Sequence, residues 1–147
     1  FRAGTEQVSV SDGDAVTVVL DRELDISRGD LLTLAHEAIS TSKHFDAQLC
    51  WLDEQALNTT RSYWLKQGTR LTQAKVQAVH ALRDVHSLQE QQATGTLSLN
   101  DIGRASLVSR DPLVLDDYQD HSSTGSFILI DPSTNQTVAA GLVQKRV

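Results

Sequence analysis

Apolar and polar residues alternate along several short stretches of this chain, and such alternation is typical of half-buried β-strands. In residues 15–20 the apolar residues Val16, Val18 and Leu20 would share one face of a strand, and β-branched residues are frequent. The turn Arg28-Gly29-Asp30 precedes a second short apolar stretch at residues 31–34. Residues 35–43 contain Ser, Thr and small residues without alternation. The pattern therefore predicts two strands and then a linker.

The middle of the chain continues the alternation and then becomes ambiguous. Residues 45–53 and 62–67 both read as strands, and a glycine after the second supplies a turn. Residues 70–85 fit two patterns. The helical pattern uses Leu71, Ala74, Ala78, Leu82 and Val85, and the strand pattern uses Ala74, Val76, Ala78 and Leu82 with His80 filling the gap. Alanines and glutamines favour a helix there, whereas both flanks favour a strand, so periodicity leaves the two open.

The last third of the chain has more short strand patterns with turn residues between them. They lie at residues 95–99, 103–109, 113–115, 126–130 and 137–143, with a turn at 131–135. Short strands at regular intervals predict an all-β sandwich or barrel.

Composition adds limits on the class of protein. With 147 residues, 39% hydrophobic residues and two prolines, the chain can bury a sizeable core and is not disordered. No apolar run approaches the roughly 18–20 residues that a membrane span needs. The lone Cys50 excludes an internal disulfide and a Cys-based zinc site, which favours a reducing cytosolic compartment. The absence of Met predicts that the chain is a piece of a longer protein.

The net charge of −6 disfavours sequence-independent nucleic-acid binding, which needs a basic face against the phosphates. The charges also form two blocks. Residues 55–83 carry only basic charges, namely Arg61, Lys66, Arg70, Lys75 and Arg83. Residues 111–131 carry only acidic charges, namely Asp111, Asp116, Asp117, Asp120 and Asp131. The two blocks can neutralise each other in the fold, or one can face a partner. In the second case, reversing Arg70 and Lys75 to Glu is expected to weaken assembly.

Isolated residues of chemical interest do not form a recognisable site. His80 and His86 lie six residues apart and His121 is distant, without the ligand spacing of a zinc centre. Cys50 lacks a basic neighbour that would activate its thiol. The acidic stretch 111–120 lacks the Asp/Asn and Gly pattern of a calcium loop, so we expect a solvated loop.

Two further expectations concern packing. Trp51 and Trp64 fall in neighbouring predicted strands, which predicts that they pack against each other or against a neighbouring barrel. Gly141 lies inside a predicted strand, where glycine marks a bulge or a close backbone approach.

Several ordered motifs carry a resemblance to a known family. They are ISRGDLL at residues 26–32, LNDIG at 99–103, the pair Asp117-Tyr118, TGSFILID at 124–131 and TNQTVAAGLV at 134–143. Together they resemble the large, GTP-binding subunit of bacterial sulfate adenylyltransferase (ATP sulfurylase). FDAQLCWLDEQAL followed by RSYWLKQGTR is similar to that family's next segment. A looser resemblance, mainly in TVAAGLV, extends to the third domain of elongation factor Tu.

The resemblance implies a fold and a division of the chain. Its members have a G domain followed by two β-barrels. The chain is then all-β, with residues 1–34 as the last strands of the second barrel, 35–43 as a linker, and 44–147 as a six-stranded third-domain barrel. The resemblance also implies that the ambiguous residues 70–85 form a strand.

The family's GTP chemistry needs a glycine-rich phosphate loop with Lys and a Ser or Thr that holds Mg²⁺. It also needs an Asn-Lys-x-Asp motif that reads guanine. None of these motifs occurs in the sequence. We therefore assign no catalytic, cofactor-binding or metal-binding residue, and GTP and Mg²⁺ are implied only for a G domain outside this chain.

The resemblance implies a cytoplasmic parent enzyme that converts ATP and sulfate to adenosine 5′-phosphosulfate and pyrophosphate, driven by GTP hydrolysis. The implied partners are its small catalytic subunit and its own G domain, and no membrane is involved. This chain would serve as scaffold and subunit contact. The alternative is a tRNA-binding barrel of a translational GTPase, docking through the basic residues 61–83, and the net charge argues against it.

Overall fold

The computed structural model describes residues 9–11, 13–37, 39–83, 89–92 and 95–144. The strands in these residues are β1 (Thr41–Trp51), β2 (Tyr63–Gln67), β3 (Arg70–Arg83), β4 (Glu90–Gln92), β5 (Ile102–Val114), β6 (Ser126–Ile130) and β7 (Thr137–Gln144). A single turn of helix, α1 (Ser122–Gly125), precedes β6. Among the described residues no helix is long and apolar enough to cross a membrane.

Six of the strands close into an antiparallel barrel. Their order is β2-β6-β7-β1-β5-β3, and β3 pairs back with β2. The long strand β3 makes this closure possible, because residues 70–74 pair with β2 while residues 81–83 pair with the short extra strand β4. Closure gives each of the six barrel strands two neighbours, and β4 extends the sheet beyond β3. The all-β six-stranded barrel is confirmed, and the sandwich is excluded.

The core lies inside the barrel and is filled by alternate residues of each strand. In β1 the inward residues Phe45, Ala47, Leu49 and Trp51 are all buried. Pairs of aromatic rings pack edge to face, with centroids 5.6 Å apart for Phe45–Phe127 and 5.8 Å for Trp51–Tyr63.

Gly141 is in regular register between Leu49 of β1 and Phe127 of β6. A Cβ atom there would lie 2.2 Å from Cζ of Phe127. The predicted close approach therefore exists, but it is made by an aromatic ring, and no bulge occurs at this residue.

Residues 70–83 form a strand, as the resemblance implied. The pairing of β3 with β5 shifts register twice, between Val76 and Ala78 and between Val79 and Ala81. Each bulge adds one residue and reverses the alternation, so the buried residue that follows Val76 is Val79 and not Ala78. The resulting three-residue spacing between Val76 and Val79 explains why the sequence also fits a helix.

Other boundaries differ from the predictions. Residues 15–20 and 31–34 are not strands, because their apolar side chains are exposed and no described strand pairs with them. β1 begins at Thr41, inside the predicted linker. The stretches 103–109 and 113–115 are one strand, β5.

Residues 95–99 form a loop and not the predicted strand. The loop is held by hydrogen bonds to another loop: the Leu57 amide donates to the Leu97 carbonyl at 2.9 Å, and the Thr96 hydroxyl donates to the Leu57 carbonyl at 2.8 Å. Leu97 is nevertheless fully buried, so its apolar character serves the core without a strand.

Candidate functional site

The outer surface of β2, β6, β7 and β1 carries apolar side chains. Trp64 of β2 lies opposite Ile130 of β6. In a second row across the strands, Ile128 of β6 lies opposite Ala140 of β7, and Ala140 lies opposite Cys50 of β1. We call this surface the apolar face; it consists of Cys50, Trp64, Ile128, Ile130, Ala140 and Leu142. Trp51 lies inside the barrel, whereas Trp64 is partly exposed outside it. The two tryptophans therefore do not pack against each other, and packing of Trp64 against a neighbouring barrel, the other alternative, stays a prediction.

The outer surface of β3 and β5 is different in character. It carries Lys75 and His80 from β3 and Arg104 and Arg110 from β5, and all four are exposed. We call these four residues the basic face. In the register of the two strands Lys75 lies opposite Val108, which is partly buried.

A short chain of hydrogen bonds crosses this surface. The Ser106 hydroxyl donates to Oδ1 of Asp46 at 2.5 Å, and Oγ of Ser106 lies 2.7 Å from Nε2 of His80. In a hydrolytic triad the histidine lies between the serine and the carboxylate and removes the hydroxyl proton. Here the serine is in the middle and gives its proton to the carboxylate. The arrangement holds His80 in place and does not activate a nucleophile.

The two charge blocks of the sequence meet at one ion pair within the described residues. Nη2 of Arg61 lies 3.0 Å from Oδ2 of Asp131. The Ser133 amide also donates to Asp131, at 2.6 Å. This backbone hydrogen bond and the Arg61 guanidinium hold the pKa of Asp131 below its ordinary value, against the opposing effect of desolvation. Among the described residues, the two charge blocks therefore neutralise each other at the Arg61–Asp131 pair.

Three carboxylates of the acidic stretch accept hydrogen bonds from other residues of the barrel. The Thr72 hydroxyl donates to Asp111 at 2.7 Å, the Thr124 hydroxyl donates to Asp116 at 2.6 Å, and the Gln119 amide donates to Asp117 at 3.0 Å. No group of three or more His, Cys, Asp or Glu residues that could hold a metal ion is present in the described part of the chain. His121 is exposed, and His86 lies outside the described residues.

A cleft of about 610 Å³ lies between residues 29–41 and one end of the barrel. The β2–β3 turn, the end of β5 and α1 form its barrel side. Its charged residues, Asp30 and Arg70, pair with each other at 3.6 Å. Gly29, with φ +100°, packs here so closely that an added Cβ would lie 3.1 Å from Cδ of Arg70.

This cleft does not fit GTP with Mg²⁺. Its one cation and its one carboxylate already satisfy each other, and no phosphate-binding loop exists in the sequence. No chemical step through these groups can be assigned to the described residues.

The family described as GTP-eEF1A C-terminal domain-like matches residues 44–144, and the chain belongs to it. The solved structure of sup35 complexed with GDP shares the fold, with a TM-score of 0.68 and 20% sequence identity over 77% of this chain and 28% of that chain.

Among characterised relatives, the chain is similar to a bifunctional enzyme CysN/CysC and to sulfate adenylyltransferase subunit 1. It is 43% identical over 134 residues to the bifunctional enzyme CysN/CysC of Mycobacterium tuberculosis, covering 90% of this chain and 22% of that protein. It is 40% identical over 131 residues to sulfate adenylyltransferase subunit 1 of Rhizobium meliloti, covering 89% of this chain and 26% of that protein. The chain thus spans about a quarter of the length of these relatives.

Sequence reasoning missed the basic face. It grouped Lys75 with its chain neighbours Arg61 and Arg70, but the fold places Lys75 beside residues of β5. The available signal was the alternation in residues 103–109, which puts Arg104 on the face opposite Ala105 and Leu107.

Proposed function

We propose that this chain is the C-terminal barrel region of the GTP-binding subunit of a sulfate adenylyltransferase, and that it acts as scaffold and subunit contact. The parent enzyme would convert ATP and sulfate to adenosine 5′-phosphosulfate and pyrophosphate, with GTP hydrolysis as the driving reaction. The observation that carries this proposal is the 38–40% identity over about 90% of the chain to proteins named sulfate adenylyltransferase subunit 1.

The geometry supports a contact role over a catalytic one. Every buried side-chain polar atom among the described residues has a hydrogen-bond partner. Catalytic groups are usually found in clefts with several perturbed ionisable side chains, and the cleft here has only a mutually paired Asp30 and Arg70. The outer surface, in contrast, offers both an apolar face and a basic face for contacts with proteins.

The proposal includes a division of the chain. Residues 1–34 would complete a preceding barrel, 35–43 would link the two, and 44–147 would form the last barrel. The family match that begins at residue 44 supports this division. So do the exposed apolar side chains before it, such as Val18, Val19 and Leu32, which need another surface to cover them.

The implied partners follow from the same proposal. GTP and Mg²⁺ would bind a G domain in the full-length polypeptide, which would contact this barrel, and the small catalytic subunit would carry out adenylyl transfer in the cytoplasm. The barrel would relay the nucleotide state of the G domain to the small subunit. Such a relay requires contacts that differ between two states.

A domain graft tests the proposal. The matching C-terminal region of Rhizobium meliloti sulfate adenylyltransferase subunit 1 is replaced by this chain, and the chimera is produced with the small subunit. We expect co-purification of the two subunits and GTP-dependent formation of adenosine 5′-phosphosulfate.

The control is the same graft made with the C-terminal barrel of sup35, which has the same fold but only 20% sequence identity to this chain. That control is expected to hydrolyse GTP without binding the small subunit. If the graft of this chain behaves like the sup35 graft, the proposal is wrong.

A further inference from the structure

We propose that the basic face binds an acidic surface of the small catalytic subunit. This inference rests on the proposed function and adds to it the surface of contact and the chemistry of the partner. Lys75 and Arg110 form its centre because both are exposed and neither makes an ion pair within the described residues.

The charge of this face is unusual for the protein. The whole chain carries a net charge of −6, yet β3 and β5 place Lys75, Arg104 and Arg110 on one surface. The neighbouring carboxylate, Asp46, accepts the Ser106 hydroxyl, and Ser106 in turn contacts His80. Positive charge concentrated on one surface steers an acidic partner and selects its orientation.

The backbone holds Lys75 in a fixed position. β3 and β5 pair along eight residue positions, and Lys75 lies directly opposite Val108. Arg110 is exposed and lies one residue past Ser109, the last residue of β5 that pairs with β3, at an irregularity in the pairing of β5 with β1. Charges on a rigid sheet lose less entropy on binding than charges on a loop.

A partly buried apolar residue surrounded by exposed cations resembles the arrangement of a protein–protein contact. Val108 offers an apolar centre, and arginine is enriched in such contacts. Arg70, which the sequence grouped with Lys75, does not belong to this surface because it pairs with Asp30.

The composition of the face favours a protein over a nucleic acid. Surfaces that bind single-stranded nucleic acid combine cations with aromatic rings on which bases stack. No Phe, Tyr or Trp lies on the described outer surface of β3 and β5. The overall negative charge also opposes a long polyanion.

The test uses the Rhizobium meliloti chimera and the small subunit, with charge reversals in the barrel. Lys75→Glu and Arg110→Glu are compared with Arg22→Glu, an exposed arginine of the segment before the barrel that lies outside both the basic face and the apolar face. We expect each reversal on the basic face to raise the dissociation constant about tenfold at low salt, mainly through slower association. The effect should shrink toward 0.5 M salt, where the screening length falls to about 4 Å. Arg22→Glu should change the constant less than about twofold.

Thermal melting of each variant checks that the barrel is intact. If Lys75→Glu melts early, the neutral Lys75→Gln replaces it and is expected to give a smaller change of the same sign. Equal effects at Lys75 and Arg22 would overturn the inference while leaving the proposed function intact. Binding of bulk tRNA that requires Lys75 would also overturn it, in favour of a nucleic-acid surface. If the unreversed chimera does not bind the small subunit, the proposed function fails and this inference fails with it.

Discussion

The barrel and the segment of residues 13–37 have similar patterns of apolar residues but different structures. Inward residues of the barrel strands, such as Leu49 and Leu107, are completely buried. In the segment, Val19 is 88% exposed and Leu32 is 64% exposed. The difference shows that alternation determines which face of a strand can be buried, whereas a neighbouring strand determines whether the strand forms.

Hydrogen bonding explains why the neighbour decides. The amide and carbonyl groups of a strand stay unpaired unless a neighbouring strand forms hydrogen bonds with them. The six barrel strands each have two neighbours. The segment instead relies on local turns, in which Asp14 accepts the Ser11 amide at 2.9 Å and Asp30 accepts the Ser27 amide at 2.8 Å.

The largest expected effect comes from the same substitution made in both regions. Leu107→Ala removes a fully buried side chain of β5, and we expect a loss of about 2–5 kcal/mol in the free energy of unfolding. Leu32→Ala removes an exposed side chain of the segment and should change it by less than about 0.5 kcal/mol. Urea unfolding of the 147-residue chain, followed by tryptophan fluorescence, measures both.

A comparable loss in the two variants would contradict the comparison, because it would mean that the segment is packed as tightly as the barrel. Leu99→Ala is a useful control, since Leu99 is an exposed leucine in a loop of the barrel. It should behave like Leu32→Ala and not like Leu107→Ala.

The second effect tests how completely the barrel interior is filled. In Gly141→Ala the new methyl group would lie within 2.2–2.6 Å of three ring atoms of Phe127. The ring must move, and we expect a loss of about 1–3 kcal/mol in the free energy of unfolding. Leu142→Ala, on the outer side of the same strand, should cost less than the glycine variant.

The smaller side chain in Phe127→Leu relieves the clash. The double variant Gly141→Ala/Phe127→Leu should therefore lose less than the sum of the two single losses. Strict additivity would show that Gly141 and Phe127 do not share the space that the structure gives them.

Local pattern predicted well the strands that alternate through most of their length. β2 and β6 alternate throughout, and β1 and β7 alternate except near one end, where the pairing shifts register. The predicted bounds of these four strands lie within a few residues of the observed ones. β3 could not be settled by periodicity, since two bulges change its phase. The turn between Ile130 and Thr137 was predicted from its Asp-Pro-Ser-Thr-Asn residues, and Asn135 there has φ 58°.

The surfaces were harder to predict than the strands. The sequence shows blocks of charge along the chain, but a surface is assembled across strands that are distant in sequence. The basic face joins residues about thirty positions apart, and its composition depends on the register of β3 with β5. The Arg61–Asp131 pair, seventy positions apart, likewise depends on closure of the barrel.

The third prediction concerns that ion pair. The folded state lowers the pKa of Asp131, so its carboxylate stabilises the fold above the ordinary pKa of Asp, and this contribution is lost as pH falls through the folded-state pKa. Asp131→Asn should therefore be less stable than the parent at pH 7, and the difference should shrink as pH falls toward 3. Urea unfolding at a series of pH values measures this. Asp120→Asn, an exposed aspartate of the same acidic stretch, is the control, and an unchanging difference for Asp131→Asn would contradict the prediction.

The smallest effect on stability is expected at the contact between the two regions. Asp30 of the segment and Arg70 of the barrel lie 3.6 Å apart, and both are more than a third exposed. Pairs of this kind contribute about 0–1 kcal/mol. We therefore expect Arg70→Ala to change the free energy of unfolding of the barrel by less than about 0.5 kcal/mol.

The same substitution should have a clear effect on the segment itself. The Ser27–Asp30 turn packs against Arg70 through Gly29, so removal of the arginine side chain frees the turn from the barrel. Trypsin should then cleave more rapidly after Arg22 and Arg28, because cleavage follows the population of open states. Lys66→Ala removes an exposed barrel cation that has no contact with the turn, and it should leave the cleavage rate unchanged. If Arg70→Ala leaves the cleavage rate unchanged as well, the Asp30–Arg70 pair does not hold the segment against the barrel. The two regions would then share neither strand pairing nor a stabilising contact.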